Sequence, residues 1–119
     1  MSKSRQALGK RGEDLAASYL LEQGYKILTR NFRCPLGEID IIARDRRSLI
    51  FIEVRSNSSV CYGLPQESVS ARKRIKLRQV AAFYLQSQRA GLPLRFDVIG
   101  IVFDSDGRAK RFEHIENAF

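Results

Sequence analysis

The spacing of apolar and polar positions changes character several times along the chain. Over residues 5–23 apolar side chains recur at helical spacing, with Leu8, Gly12, Leu15, Ala16 and Tyr19 on one stripe; Ser4 is the expected cap and Gly24 the stop. Residues 25–33 alternate loosely, as a strand does, and Cys34-Pro35-Leu36-Gly37 turns the chain. Two apolar runs follow, 39–43 and 49–54, on either side of the polar break Asp45-Arg46-Arg47-Ser48, which is the pattern of a β-hairpin. Residues 56–65 are rich in Ser, Asn and Gly and read as a mobile loop. A second helix is expected over 66–90, with Leu77, Val80, Ala81 and Tyr84 as its stripe and Gly91 and Pro93 closing it. Residues 94–103 and 108–115 read as strands around the turn Asp104-Ser105-Asp106-Gly107. The order α-β-β-β-α-β-β predicts an α/β fold, a mixed sheet with helices packed against it.

The hairpin carries the chemistry. A four-residue loop places Arg44 opposite Leu49, Ile42 opposite Phe51, Asp40 opposite Glu53 and Glu38 opposite Arg55. Strict alternation then puts Glu38, Asp40, Ile42 and Arg44 on the side shared by Phe51, Glu53 and Arg55. Directly opposed carboxylates lie about 5 Å apart, and at an effective dielectric near 20 they repel by about 3 kcal/mol. A divalent cation, a shared proton, or neutralisation by Arg55 and Arg44 would each offset that repulsion. This register depends on the loop, since one residue more or less would send the two acids to opposite faces.

Composition narrows the partner. A chain of 119 residues, 44% hydrophobic and 29% charged, is expected to form one globular domain over 1–119. Lys and Arg outnumber Asp and Glu by 21 to 13, a net charge of +8 that points to a polyanion, nucleic acid rather than a membrane surface. No apolar run reaches the roughly 18 residues of a membrane-spanning helix, and the N-terminal residues lack the apolar region of a signal peptide. Cys34, Cys61 and His114 match neither a zinc site nor a disulfide framework, so reduced thiols and a cytoplasmic location are expected. Arg72, Lys73, Arg74, Lys76 and Arg78 crowd the second helix with no acid among them, and Arg46 and Arg47 sit at the hairpin tip. These cations form either a phosphate-binding surface or a solvated face. Lys73 falls one turn before Leu77, on the inward stripe, so its ammonium either reaches the hairpin carboxylates or snorkels to water. Glu13, at the edge of the first stripe, is a solvated flank unless the hairpin packs beside it. Asp97, between Phe96 and Val98, is a second buried acid or one half of a salt bridge.

Gly12-Glu13, Asn31, Gly37-Glu38-Ile39-Asp40, Phe51-Ile52-Glu53-Val54-Arg55, Tyr62-Gly63, Lys73 and Arg95-Phe96-Asp97-Val98 together resemble the YraN-like family of small bacterial proteins. That family is similar in fold to archaeal Holliday junction resolvases and to restriction-endonuclease-like nucleases with a PD-(D/E)-x-K site. The resemblance implies a restriction-endonuclease-like fold, Asp40 and Glu53 as acidic metal ligands, and Glu13 as the helical acid that completes the site. It also implies Mg²⁺ or Mn²⁺ as cofactor, DNA as partner, and a homodimer as the working unit. Where the general motif has lysine this chain has Arg55, which cannot act as a general base because it keeps its proton at working pH. Lys73 is the candidate to replace it, so the expected catalytic set is Glu13, Asp40, Glu53, Arg55 and Lys73. The expectation is a Mg²⁺-dependent nuclease-like protein; the alternatives are a non-cleaving nucleic-acid module and a protein adaptor.

Overall fold

The computed structural model describes residues 3–58, 69–88 and 91–119. Among these residues seven elements follow in the expected order: α1 (Lys3–Glu22), β1 (Lys26–Cys34), β2 (Gly37–Arg44), β3 (Leu49–Asn57), α2 (Ala71–Leu85), β4 (Leu94–Phe103) and β5 (Ala109–Ile115). The strands form a single mixed sheet in the order β1-β2-β3-β4-β5. All neighbours are antiparallel except β3 and β4. A parallel pair needs a crossover, and α2 lies within it.

Alternation along the strands sorts the apolar residues onto two faces. Ile41, Ala43, Ile50, Ile52, Ile99, Ile101 and Phe103 pack under α1 with Ala16, Ala17 and Leu20. Ile42, Leu49, Phe51 and Val98 pack under α2 with Leu77, Val80, Ala81 and Tyr84. The central strands β2, β3 and β4 are therefore covered on both sides, which is why their sequences are nearly continuous in apolar residues.

Helix α1 ends as its sequence suggests. Gly24 adopts φ +91, and the amides of Gly24 and Tyr25 bond back to the carbonyls of Leu21 and Leu20 at 3.1 and 2.9 Å. This is a Schellman closure, which needs the left-handed residue that glycine supplies without strain.

Several boundaries differ from those expected. Helix α1 already includes Ser4, so Ser4 is not its cap. Its buried stripe is Gly12, Ala16, Ala17 and Leu20, while Leu15 is 37% exposed. The second helix starts at Ala71 because the Ser70 side chain caps it, accepting the Lys73 amide at 3.1 Å, and it ends at Leu85 rather than at 90. Ser56 and Asn57 are not loop but the end of β3, held by parallel pairing with Ile101 and Val102. Residues 59–65 of the expected loop, the expected helix start over 66–68, Cys61 and Tyr62-Gly63 lie outside the described residues.

Candidate functional site

The hairpin turn sets the register from which the site is built. Asp45 Oδ1 accepts the amides of Arg47 and Ser48 at 2.8 and 2.7 Å, and the Asp45 amide bonds to the Ser48 carbonyl, so the loop has four residues. Arg44 then faces Leu49, and the ladder runs through Ile42 and Phe51 to Ile41 and Ile52. Beyond that rung the strands stop pairing. Asp40 Oδ2 accepts the Val54 amide at 2.8 Å, so a carboxylate takes the place of a backbone partner.

Strict alternation fails at the same point. Ile39 and Ile42 both pack under α2, three residues apart, so the side-chain phase slips across Asp40 and Ile41. As a result Glu38 does not oppose Arg55; it registers with Arg33 on β1 and pairs with its guanidinium at 3.1 Å.

Asp40 and Glu53 do meet. Burial, then the charge of Glu53 and a hydrogen bond to it, push the Asp40 carboxyl from 3.8 up to about 8, against the pull of the Val54 amide. The pair therefore holds a proton well above the usual carboxylate range, and sharing that proton offsets the repulsion. Glu53 is 5% exposed. Its Oε2 receives Lys73 Nζ at 2.5 Å and lies 3.6 Å from Arg55 Nη1. Lys73 reaches it from the first turn of α2, which the Ser70 cap anchors.

Glu13 arrives from the other face. Gly12 makes this possible: a Cβ there would sit 1.8 Å from Ser56 Oγ and 3.0 Å from its Cβ, so glycine lets α1 settle close to β3 without displacing Ser56. Glu13 is nearly buried, and its Oε1 accepts both Arg30 Nε at 3.1 Å and Asn31 Nδ2 at 3.0 Å. Asn31 adopts φ +56, an unusual conformation for a residue other than glycine and one that recurs where function constrains the backbone. Arg30 and Asn31 are thus the residues that position Glu13, and the sequence signalled only Asn31, as part of the resemblance.

The acids open into two cavities. The first, about 450 Å³, is lined by Asp40, Glu53, Arg55, Arg72, Lys73 and Lys76 among others. The second, about 420 Å³, lies toward α1 and is lined by Glu13, Lys10, Arg30, Asn31, Arg33 and again Asp40.

The family model described as Uncharacterised protein family UPF0102 matches residues 12–101 of this chain. The chain belongs to that family, the YraN-like proteins. UPF0102 proteins of Pelotomaculum thermopropionicum and Moorella thermoacetica are 48% and 49% identical to it over 120 residues, covering all of both chains in each case. The UPF0102 match spans Glu13, Asp40, Glu53, Arg55 and Lys73. Among solved structures, Pyrococcus furiosus SfsA in complex with Ca²⁺ aligns with 94% of this chain and 63% of its own, at 16% identity and a TM-score of 0.36.

The fold divides the basic residues of α2 and the hairpin tip of this UPF0102 chain into three groups. Arg72, Lys73 and Lys76 line the first cavity. Arg74 and Arg78 lie over the Phe119 ring at 5.2 and 5.7 Å, and Arg78 also lies over Phe96, so both brace an aromatic stack against α2. Arg46 and Arg47 are exposed at the hairpin tip, four strand residues or about 13 Å beyond Asp40. Asp97 is also apart from the site. It is fully buried and accepts two bonds from Arg95 at 2.9 Å, one from His114 at 2.7 Å and the Asn117 amide at 3.1 Å. Burial would raise its pKa, but these donors outweigh it and hold the carboxylate below its usual range.

The donor set can be tested against a hard divalent cation. Asp40 and Glu53 fit, being a half-buried and a buried carboxylate whose mutual repulsion a cation would relieve. Glu13 lies across Asp40 in the second cavity, and among the described residues no three His, Cys, Asp or Glu side chains converge on one point. Cys34 is a free thiol among the described residues. No helix among them is long and apolar enough to cross a membrane.

Proposed function

We propose that this chain is a Mg²⁺-dependent nuclease-like protein that acts on DNA at the first cavity. The observation that carries this reading is the pair of half-buried Asp40 and buried Glu53, with the Asp40 pKa raised to about 8, on the wall of a cavity lined by Arg55, Arg72, Lys73 and Lys76. Perturbed carboxylates in a cleft are functional candidates, because burial and like-charge pairing are what active sites use to shift a pKa. Asp40 and Glu53 would hold the ion by their carboxylate oxygens. When bound, such a cation neutralises charge on the phosphate and lowers the pKa of a nearby water.

The remaining roles belong to the protein's own cations. Lys73 lies 2.5 Å from Glu53 and can transfer one of its hydrogen bonds to a phosphate oxygen or to the attacking water. Arg55 holds Glu53 in place and stays charged throughout. Arg72 and Lys76, exposed on α2, contact the neighbouring phosphates.

The test is cleavage by purified protein of linear, flapped, single-stranded and four-way-junction DNAs with Mg²⁺ or Mn²⁺. Cleavage of at least one substrate is expected, with loss in Asp40→Asn and Glu53→Gln. Cleavage that persists in both variants assigns the chemistry elsewhere.

A non-cleaving nucleic-acid module is the second reading, and one observation favours it. Lys73 and Arg55 already occupy Glu53, while Arg30 and Asn31 hold Glu13 away from it. On that reading wild-type protein binds the same DNAs and leaves all of them intact with either metal.

A further inference from the structure

We propose that a bound nucleic-acid strand does not end at the acid pair but continues past it into the second cavity, where Lys10 and Arg33 contact its phosphates. This rests on the function proposed above. It adds the second half of the binding track and the class of ligand: a strand with nucleotides on both sides of the phosphate at Asp40.

The two cavities are nearly equal, about 450 and 420 Å³, and Asp40 and Val54 line both. A phosphate placed at Asp40 therefore has open space on each side, under α2 in one direction and under α1 in the other. A site built for a chain terminus would be walled off beyond the acids.

The charges of the second cavity suit this role, although its cations and anions are nearly balanced. Glu13 and Asp14 are both engaged by Arg30, at 3.1 and 2.6 Å, and Asn31 adds a second donor to Glu13. Arg30 is thereby committed to neutralising the two acids. Lys10 and Arg33 are held differently. Their side chains are 79% and 77% exposed, and their partners are the exposed carboxylates of Asp14 at 3.9 Å and Glu38 at 3.1 Å. Exposed pairs of this kind contribute about 0–1 kcal/mol. Either cation can exchange its carboxylate for a phosphate with little loss, and phosphate binding with counterion release then supplies affinity.

The experiment measures affinity for single-stranded oligothymidines of about 4 to about 16 nucleotides, the range of site sizes common to strand-binding grooves. Ca²⁺ replaces Mg²⁺ so that binding is read without cleavage. Wild-type affinity should rise with length beyond the shortest oligonucleotides. Lys10→Ala/Arg33→Ala should cancel that rise and reduce the log-log salt slope for the longest by about 1.4, at roughly 0.7 per phosphate contact on single strands. Arg108→Ala/Lys110→Ala, two exposed cations outside both cavities, is the control for net charge and should change neither quantity. Wild-type affinity that stops growing at about 4 nucleotides, or a double variant with unchanged slope and length dependence, overturns the proposal. If Arg72→Ala/Lys76→Ala still weakens binding at every length, the function assigned to the first cavity survives that failure. If wild-type protein binds neither these oligonucleotides nor four-way-junction DNA at low salt, both readings fall.

Discussion

Replacing Asp40 by Asn should make the stability of this protein much less dependent on pH. In the unfolded chain Asp40 titrates near 3.8, and in the fold near 8, because burial and the Glu53 charge disfavour its ionised form. The rise of about four units corresponds to about 5–6 kcal/mol between the two protonation states. For a group whose pKa is raised on folding, the associated stability is present in full below pH 3.8. It is lost progressively as pH rises, until the folded group ionises near 8. Between pH 5 and pH 7, both inside that window, wild-type protein should lose about 2–3 kcal/mol relative to Asp40→Asn. The asparagine oxygen can still accept the Val54 amide, so the comparison isolates the ionisation. Urea unfolding followed by circular dichroism at pH 5, 6, 7 and 8 reads this as a midpoint that falls in the wild type by about 1–2 M relative to the variant. Glu53→Gln should flatten the dependence as well, by removing the charge that helps to raise Asp40. Parallel stability curves for wild type and Asp40→Asn would refute the reasoning, since Asp40 would then be ionised in the fold.

Three further outcomes follow from other contacts. Gly12→Ala forces a Cβ to within 1.8 Å of Ser56 Oγ and should cost about 1–3 kcal/mol; Ser56→Gly should recover part of this in a double-mutant cycle on thermal unfolding. Arg95→Met leaves Asp97 buried without its bidentate partner and should destabilise by about 3–5 kcal/mol, read by urea titration, with a loss that shrinks in acid as Asp97 protonates. Lys73→Ala should abolish cleavage while leaving Mn²⁺ binding, measured by calorimetry, intact or stronger because Glu53 loses its internal cation; full cleavage in this variant would remove Lys73 from the mechanism.

Local spacing carried a large part of this structure. The four-residue break at Asp45–Ser48 determines which hairpin residues face each other, and from it come the rung of Arg44 and Leu49 and the approach of Asp40 to Glu53. Helical periodicity places Leu77, Val80, Ala81 and Tyr84 inward with Lys73 one turn before them, and that is where they lie. Such features depend on bonds over a few residues, so the sequence alone determined them.

What the tertiary structure decided depends on contacts between distant segments. The slip in phase across Asp40 cannot be read from a pattern that alternates on paper; it exists because β2 and β3 part there and the carboxylate takes over the Val54 amide. Arg74 and Arg78 look the same as Arg72 and Lys76 in sequence, yet the packing of Phe119 on Phe96 draws the first two to the opposite side of α2. Ser56 and Asn57 have the composition of a loop and become strand only because β4 offers them a parallel partner. Glu13 reads as a solvated flank until Gly12 brings α1 against Ser56 and β1 presents Arg30 and Asn31 to it. In each case the energy that decides comes from burial and hydrogen bonding between residues far apart in the chain, which no local period encodes.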